Sequence, residues 1–338
     1  MLTGRSIQSI SEELDRQRKS KFDFIIPTMF MGMTFNGALL NKKSGKELPL
    51  TDYAHGQIAE HMKIPRAYYK RMQLESPELL ARNVNTWMEK QPKGTKRLVR
   101  VLDGKGRAYL SDRYLPIDNW DTLNALLPSL QDAGCEIVSA EVTENRMYIK
   151  AITPRITGEI KVGDKVQGGL IISNSEIGAG RVEVSPLLYR LVCSNGMIVP
   201  DMSLKRHHVG RRVAEEDLTV NGIYSRETIA ADIATFLMKA RDTVRAVLDQ
   251  TVFDDVIKRT RRAAGEVIED AEECIEDVTN RYGLSDEERT ALFNNFLGGA
   301  DNSRWGLVNA VTLTAHHDVT DYDRSVELEK IGGEILYR

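Results

Sequence analysis

The sequence contains no long apolar run, few cysteines and none of the common catalytic signatures. No window approaches the ~20 consecutive apolar residues that a membrane helix requires. The segment from Met1 to Arg5 also lacks the apolar core of a signal peptide. We therefore expect a cytoplasmic protein without membrane contact.

The three cysteines, Cys135, Cys193 and Cys274, are odd in number and far apart in the chain. They are set among apolar residues or on a helical pattern, which disfavours both a disulfide framework and a cysteine-based zinc site. We expect all three to be buried free thiols.

Motifs for phosphate binding and nucleophilic catalysis are also missing. The sequence has no Gly-x-x-x-x-Gly-Lys-Ser/Thr segment, and the glycines from Gly163 to Gly180 lack the Rossmann spacing. Ser194 does not lie in a Gly-x-Ser-x-Gly elbow, and Cys193 has no identifiable base. We therefore predict neither a catalytic residue nor a cofactor.

Two histidine pairs keep one enzymatic hypothesis open. His207-His208 and His316-His317 would supply metal ligands if the two regions met in space, and Asp318 follows the second pair. Adjacent histidines diverge on a helix or a strand, however, and the sequence has no His-x-x-x-His spacing. We expect no bound metal, and a metal-dependent enzyme stays the third of our hypotheses.

Charge is nearly balanced over the whole chain but segregated along it. The 338 residues include 46 Lys and Arg and 49 Asp and Glu, which gives a net charge of −3, and 41% of the residues are hydrophobic. This composition is typical of a soluble globular protein and excludes a wholly basic nucleic-acid binder. Any polyanion would have to bind at a local basic patch.

Hydrophobic periodicity divides the chain into four parts. Residues 1–50 are mixed in character and predict an N-terminal arm, whereas residues 51–92 predict a small helical element that begins with Thr51 as a cap. Residues 93–218 are rich in alternating and β-branched residues, which predicts a central, antiparallel β-rich core. Residues 219–338 change to helical spacing and predict an α-helical region packed on that core, in which Ser285-Asp286-Glu287-Glu288 is a capping box for one helix. The predicted fold class is α+β.

Two hairpins and one turn are specific predictions within the β-rich core. Residues 97–111 predict the first hairpin and residues 135–152 the second, and a further strand is expected over residues 160–166. Asn195-Gly196 is expected to turn the chain after the buried run Leu191-Val192-Cys193, because Asn-Gly tolerates positive φ.

Basic residues cluster on the first hairpin and in the segment after Tyr189. Such clusters are the usual electrostatic signature of a polyanion-binding surface, because each neutralised phosphate releases counterions. Exposed aromatic residues beside these cations would stack on unpaired bases. The candidate nucleic-acid contacts are Arg97, Arg100, Lys105, Arg107, Arg113, Arg190, Lys205, Arg206, Arg211 and Arg212.

Four ordered segments carry a family resemblance. They are residues 107–119 (RAYLSDRYLPIDN), 174–178 (NSEIG), 189–197 (YRLVCSNGM) and 305–312 (WGLVNAVT). Together they resemble the phage- and plasmid-related family catalogued as domain of unknown function 932. That resemblance extends over roughly residues 50–314 and implies a phage or plasmid setting, and therefore a role in DNA metabolism.

The predicted order of hairpin, helix, hairpin, further strands and helices also resembles the single-strand annealing proteins of phages and eukaryotes. In those proteins a sheet and a helix line a positively charged groove on an oligomeric ring or filament. We therefore hypothesise a homo-oligomer that binds and anneals single-stranded DNA through phosphate contacts, independently of base sequence. The alternative hypothesis is a non-enzymatic oligomeric scaffold or host-interaction factor of a mobile element.

Overall fold

A computed structural model describes residues 4–114, 116–180, 182–200 and 226–338 of the chain. Within these residues the fold is α+β, as the sequence predicted, with antiparallel sheets in the N-terminal and central parts and helices in the C-terminal part. None of the described helices combines the length and the apolar character that a membrane span requires.

The regular elements follow one another in this order. The helices are α1 Ile7–Ser20, α2 Asp52–His61, α3 Arg66–Glu75, α4 Pro77–Glu89, α5 Asn119–Asp132, α6 Arg226–Val247, α7 Gln250–Ala263, α8 Ala271–Tyr282, α9 Asp286–Gly298, α10 Arg304–His317 and α11 Tyr322–Leu336. The strands are β1 Lys21–Pro27, β2 Met31–Met33, β3 Leu39–Asn41, β4 Lys46–Leu48, β5 Lys96–Leu102, β6 Lys105–Ser111, β7 Glu136–Val142, β8 Met147–Glu159, β9 Lys165–Asn174, β10 Glu183–Arg190 and β11 Asn195–Ile198.

The segment predicted to be an N-terminal arm, residues 1–50, contributes a strand to a sheet. β1 pairs with β5 along its whole length, from Lys21 opposite Leu102 to Pro27 opposite Lys96. β5 and β6 form the first predicted hairpin, so the strand order is β1-β5-β6. This pairing ties the start of the chain to the segment that carries several of the candidate arginines. The predicted domain boundaries themselves stay a prediction.

Helices α2, α3 and α4 pack on one face of this N-terminal sheet. Thr51 caps α2 as the sequence predicted, because its hydroxyl accepts the Ala54 N–H at 3.3 Å. Ile58 of α2 and Leu80 of α4 are buried in the same cluster as Val99 of β5. The helices are therefore held on the sheet by apolar burial, which leaves their outer faces to solvent.

The central sheet contains β7 to β11 in chain order, all antiparallel. The second predicted hairpin is confirmed by the pairing of β7 with β8. The strand expected over residues 160–166 is wrong at its start: the Ile160 N–H bonds the Asp164 carbonyl at 3.0 Å and closes a turn, and β9 begins only at Lys165.

The turn between β10 and β11 differs from the prediction. Asn195 and Gly196 lie inside β11, and Ser194 with φ 51° reverses the chain in their place. Leu191 and Val192, expected to be buried, are 41% and 62% exposed at the tip of the hairpin. Four residues form this turn because the apolar register of β11 keeps Asn195 and Gly196 paired with Arg190 and Tyr189.

Side chains of the central sheet alternate between two helical layers. Ile149 and Ala151 of β8 share a buried cluster with residues of α1, α5 and α6. Tyr148 and Ile152 face the other way and pack with Tyr322 of α11. The predicted capping box at Ser285 starts α9, one of the helices of the C-terminal layer.

The same alternation buries Lys150 of β8 against α11. Its Nζ lies 2.6 Å from Glu329 Oε2 and 5.1 Å from the centre of the Tyr322 ring, and both members of the ion pair are almost fully inaccessible. Burial raises the pKa of Glu329, and the neighbouring Lys150 lowers it only in part. The Tyr322 hydroxyl is in turn 2.6 Å from Ser139 Oγ, which fixes the start of α11 on β7.

Replacing Lys150 by Met should lower the free energy of unfolding by about 3–5 kcal/mol, because Glu329 would then be a buried carboxylate without a counterion. Urea denaturation of the variant would measure the loss. The double variant Lys150→Met/Glu329→Leu should recover most of the stability, since both charges are removed together. A double variant as unstable as Lys150→Met would contradict the ion-pair explanation.

Candidate nucleic-acid interface

Two of the candidate phosphate contacts lie in a buried interface between the N-terminal and central sheets. The Arg100 side chain is 1% exposed, and it contacts Asp23 Oδ2 at 2.9 Å and Asp118 Oδ1 at 2.7 Å. It also donates to the Glu176 carbonyl at 2.7 Å. Arg107 is buried and pairs with the Glu176 carboxylate. Phosphate contacts at Arg100 and Arg107 stay predictions, which this packing disfavours because both guanidinium groups already bind carboxylates inside the protein.

Electrostatics keep Asp118 of this interface ionised at neutral pH. Burial alone would raise the pKa of Asp118, but the charges of Arg100 and Lys21 outweigh that effect and hold it below its ordinary value. Charges buried in this way are compensated locally and contribute little potential to the surface.

The four segments that carry the family resemblance, residues 107–119, 174–178, 189–197 and 305–312, are called the family signature below. The first two of them meet at Glu176. Its Oε1 accepts the Asn119 N–H at 2.6 Å, and the Asn119 side chain accepts from Asn174 Nδ2 at 2.9 Å. The Tyr114 hydroxyl donates to the Ser175 carbonyl at 3.3 Å. Residues 107–119 and 174–178 therefore form one hydrogen-bonded unit that joins the end of β9 to the start of α5.

The last two segments of the signature meet in the same manner. Asp164 accepts from Trp305 Nε1 at 2.9 Å and forms an ion pair with Arg190, a third candidate contact. Asn195 Nδ2 donates to Thr312 Oγ1 at 2.7 Å. These bonds attach α10 to the central sheet, so Arg190 has a structural partner in the described chain.

The remaining described candidates lie at opposite ends of the N-terminal sheet. Lys105 is exposed at the turn between β5 and β6, whereas Arg97 lies near the start of β5, about 17 Å away along the strand. Arg113 follows Ser111, the Cα partner of Arg97, and so lies at the Arg97 end. Lys205, Arg206, Arg211 and Arg212 lie outside the described residues.

Five cations belong to the segments where the ends of α2 and α4 meet the start of β5, and Lys96 alternates with Arg97 onto the other face of the sheet. Gln91 Nε2 lies 3.8 Å from Met62 Sδ, which joins the two helix ends, and the Arg97 guanidinium lies 5.8 Å from the centre of the Tyr109 ring. We call these residues the cationic cluster: Lys63, Lys90, Lys93, Lys96 and Arg97. None of the five forms an ion pair with a carboxylate of another described residue, and Glu89, beside Lys90 in sequence, pairs with Lys42 at 3.6 Å.

The rings of His61 and Tyr109 lie next to Arg97 of the cationic cluster, with their centres 5.7 Å apart. Burial and the nearby Arg97 lower the pKa of His61 to about 4, and burial raises the pKa of Tyr109 to about 12. Both rings are therefore neutral at pH 7. The two rings add no charge, and the positive potential comes from the lysines and the arginine of the cluster.

Trp87 provides an exposed aromatic surface beside the cationic cluster. It lies in the last turn of α4 and is 43% exposed, and the Lys90 Nζ lies 5.0 Å from the centre of its ring. The sequence contained a signal for this region, because residues 63–97 include nine Lys and Arg but three Asp and Glu. That imbalance is spread over two helices and a strand, which hides it from a search for adjacent charges.

The basic stretch Lys258-Arg259-Thr260-Arg261-Arg262 of α7 and the pair His316-His317 of α10 lie outside the cationic cluster. Arg261 of α7 donates to the Glu159 carbonyl at 2.8 Å, so part of the basic stretch on α7 contacts the protein. The rings of His316 and His317 are 4.3 Å apart, and burial lowers the pKa of His316. Over residues 4–200 and 226–338, apart from the undescribed residues 115 and 181, no group of three or more His, Cys, Asp and Glu is placed to hold a metal ion. His207 and His208 lie outside the described residues.

The three cysteines are free thiols, but each is half-buried, where full burial was expected. Burial raises the pKa of Cys135 and of Cys274. A raised pKa keeps a thiol protonated and unreactive at neutral pH.

Comparison with known proteins gives one match. A family model described as "Domain of unknown function (DUF932)" matches residues 108–330. No curated protein and no solved structure matches the chain.

The His61 ring should titrate with a pKa of about 4 in an NMR pH series, compared with about 6.5 for an exposed histidine. Because the neutral ring is favoured in the folded state, His61 should reduce the free energy of unfolding progressively as pH falls from about 6.5 toward 4. Arg97→Leu should raise the pKa of His61 by removing a neighbouring positive charge. A normal pKa for His61, or no shift in Arg97→Leu, would contradict the described arrangement of the cluster.

Proposed function

The chain belongs to the DUF932 family, whose description assigns no function, and we propose from its surface that it binds single-stranded DNA without base-sequence preference. The observation that supports this proposal is the cationic cluster with Trp87 at its margin. Five cations without described carboxylate partners meet at the junction of α2, α4 and β5, and an exposed indole lies beside them. This combination provides both interactions that a single strand offers, phosphate charge and an open base face.

Affinity comes from the cations. Each phosphate that the cluster neutralises releases condensed counterions, so binding is strong at low salt and weakens as salt rises. Lysines contact phosphates as point charges without fixing an orientation, which suits a surface that accepts any sequence. Arg97 adds the possibility of a bidentate phosphate contact, whereas Arg113, in the segment 107–119, is left out of the proposed site.

Trp87 supplies the preference for a single strand. Bases in a duplex are stacked on each other and present only their edges, whereas an unpaired base can stack on an exposed indole. The Lys90 ammonium, 5.0 Å from the same ring, is placed to neutralise the phosphate of the stacked nucleotide. Stacking is tolerant of sequence because every base has an aromatic face.

The proposal keeps several further expectations from the sequence. Lys205, Arg206, Arg211 and Arg212 would add phosphate contacts beyond the described residues. Annealing of strands, a homo-oligomeric state, a phage or plasmid setting and a location in the bacterial host cytoplasm belong to the same proposal. Arg100, Arg107 and Arg190 are assigned to structural ion pairs in place of the phosphate contacts first expected.

Binding of a fluorescent oligothymidine should weaken steeply with salt. The five cations of the cluster should contribute about −3.5 to the slope of log K against log salt, at about −0.7 per contact on a single strand. Lys93→Glu should lower the affinity and make the slope shallower by about 0.7. Lys105→Glu is the matched control, because the proposed site leaves out Lys105, a candidate contact that lies exposed at the far end of the same sheet.

A wild-type protein that fails to bind the oligonucleotide even at low salt would sink the proposal. Equal losses in Lys93→Glu and Lys105→Glu would show that net charge, and not the cationic cluster, determines binding. Circular dichroism of both variants would confirm that each remains folded.

Removing the indole should cost binding free energy without changing the salt slope. Trp87→Ala is expected to lose about 1–3 kcal/mol for a single strand, the usual value of one base stacked on an aromatic side chain. Trp87→Phe should retain part of that energy, and binding to a duplex should change little in either variant. Equal losses for single strands and duplexes would assign Trp87 a purely structural role.

A further inference from the structure

β1 has one paired edge and one open edge. Its only strand partner in the described parts of the chain is β5, and the two remain in register from Lys21 to Pro27. A seven-residue edge strand presents a row of unpaired backbone groups, which is a template for pairing with another strand. The outer edge of β1 is therefore a potential interaction surface.

The direction of each backbone group on β1 follows from one hydrogen bond. The Thr28 N–H bonds the Thr95 carbonyl at 2.9 Å, directly beyond the Pro27–Lys96 pair. Backbone N–H groups alternate in direction along a strand. The N–H groups of Phe22, Phe24 and Ile26 therefore point toward β5, and those of Lys21, Asp23 and Ile25 point toward the open edge.

Pro27 fits this assignment, because it occupies an outward position, where a missing N–H breaks no bond with β5. Proline within sheets is confined to such edge positions. The open edge thus has outward carbonyl groups at every second residue, and outward N–H groups without a described partner at Asp23 and Ile25. The Lys21 N–H donates to the Gln17 carbonyl at the end of α1.

Exposed apolar side chains lie on both faces of the sheet at this edge, although Lys21 and Asp23 share the face of Ile25. Phe22 and Ile25 are 55% and 54% exposed, although they lie on opposite faces. The rings of Phe22 and Phe24 stack with centres 6.1 Å apart and an interplanar angle of 23°. Exposed apolar residues at a strand edge are a liability unless the edge is covered.

We propose that β1 pairs antiparallel with β1 of a second copy of this chain, about a two-fold axis at Phe24, to form one continuous six-stranded sheet. The strand is self-complementary in this register. Asp23 lies opposite Ile25 of the second copy, and each has its N–H and carbonyl directed at the other. Lys21 lies opposite Pro27 of the second copy in a pair without a hydrogen bond, because Pro27 has no N–H and the Lys21 N–H already donates to the Gln17 carbonyl. No like charges oppose each other.

The aromatic residues favour the same register. Phe24 lies opposite Phe24 of the second copy in a non-hydrogen-bonded pair, the kind in which facing side chains approach most closely. Phe22 is diagonal to that pair, so the stacked rings of the two copies join in one ladder. A second copy of the chain thus satisfies both the backbone groups and the exposed rings, and the pairing needs no nucleic acid.

Disulfide formation tests the register directly. Phe24→Cys should form a disulfide-linked dimer under mild oxidation, because opposed residues at the two-fold axis lie within reach of a disulfide. Phe22→Cys is the matched control: it is more exposed, but its counterpart lies about 13 Å away along the strand in this register. We expect roughly tenfold more dimer from Phe24→Cys, since the distance limit for a disulfide is sharp. Equal or greater crosslinking of Phe22→Cys would overturn the proposal.

A second pair of variants tests the same register without oxidation. Ile25→Asp would place a carboxylate opposite Asp23 of the second copy, whereas Ile25→Lys would place an ammonium there. Sedimentation velocity over a range of concentrations should show the wild type and Ile25→Lys as dimers and Ile25→Asp shifted toward monomer. A monomeric wild type, or equal effects of the two substitutions, would overturn the proposal. Both substitutions charge an exposed side chain, so impaired folding cannot explain a difference between them.

Discussion

The buried ion pairs of Arg100 and Arg107 with Asp23, Asp118 and Glu176 are the constraint on which the rest of the fold depends. Removing these charges from water is costly, and only their mutual contacts compensate that cost. Because the arginines belong to the N-terminal sheet and Glu176 follows β9, the pairs fix one sheet against the other. They also fix β6, whose Tyr109 supports the cationic cluster from below. The position of the cationic cluster therefore depends on these buried ion pairs.

Basic residues in this protein fall into two groups that the sequence does not distinguish. Arg107 and Arg190, two arginines of the family signature, are compensated by Glu176 and Asp164 and hold elements together. The lysines of the cationic cluster lie outside the signature segments and face solvent. Signature residues can therefore mark the family through its architecture, while the proposed binding surface lies elsewhere on the same fold. The β1 edge is a third feature, and it is joined to the buried arginines through Asp23, which pairs with Arg100.

Local signals made part of the structure predictable. The hairpin of β5 and β6, the Thr51 cap and the Ser285 capping box each depend on neighbouring residues, and the sequence predicted each of them. The pairing of β1 with β5, the Met62–Gln91 contact and the burial of Arg100 join residues far apart in the chain. Ser194 turns the chain because the register of β11 requires Asn195 in the strand, against the usual preference of Asn-Gly. These features depend on contacts between residues that are distant in sequence, so no local sequence pattern could predict them.

The central claim is that single-stranded DNA binds at the cationic cluster and not at the arginines of the family signature. Hydrogen exchange of the full chain with and without a saturating oligothymidine measures this directly. We expect slowed exchange at the end of α2, the end of α4 and the start of β5, with residues 107–119 and 174–178 unchanged. Protection confined to those two signature segments, or to residues 201–225, would contradict it.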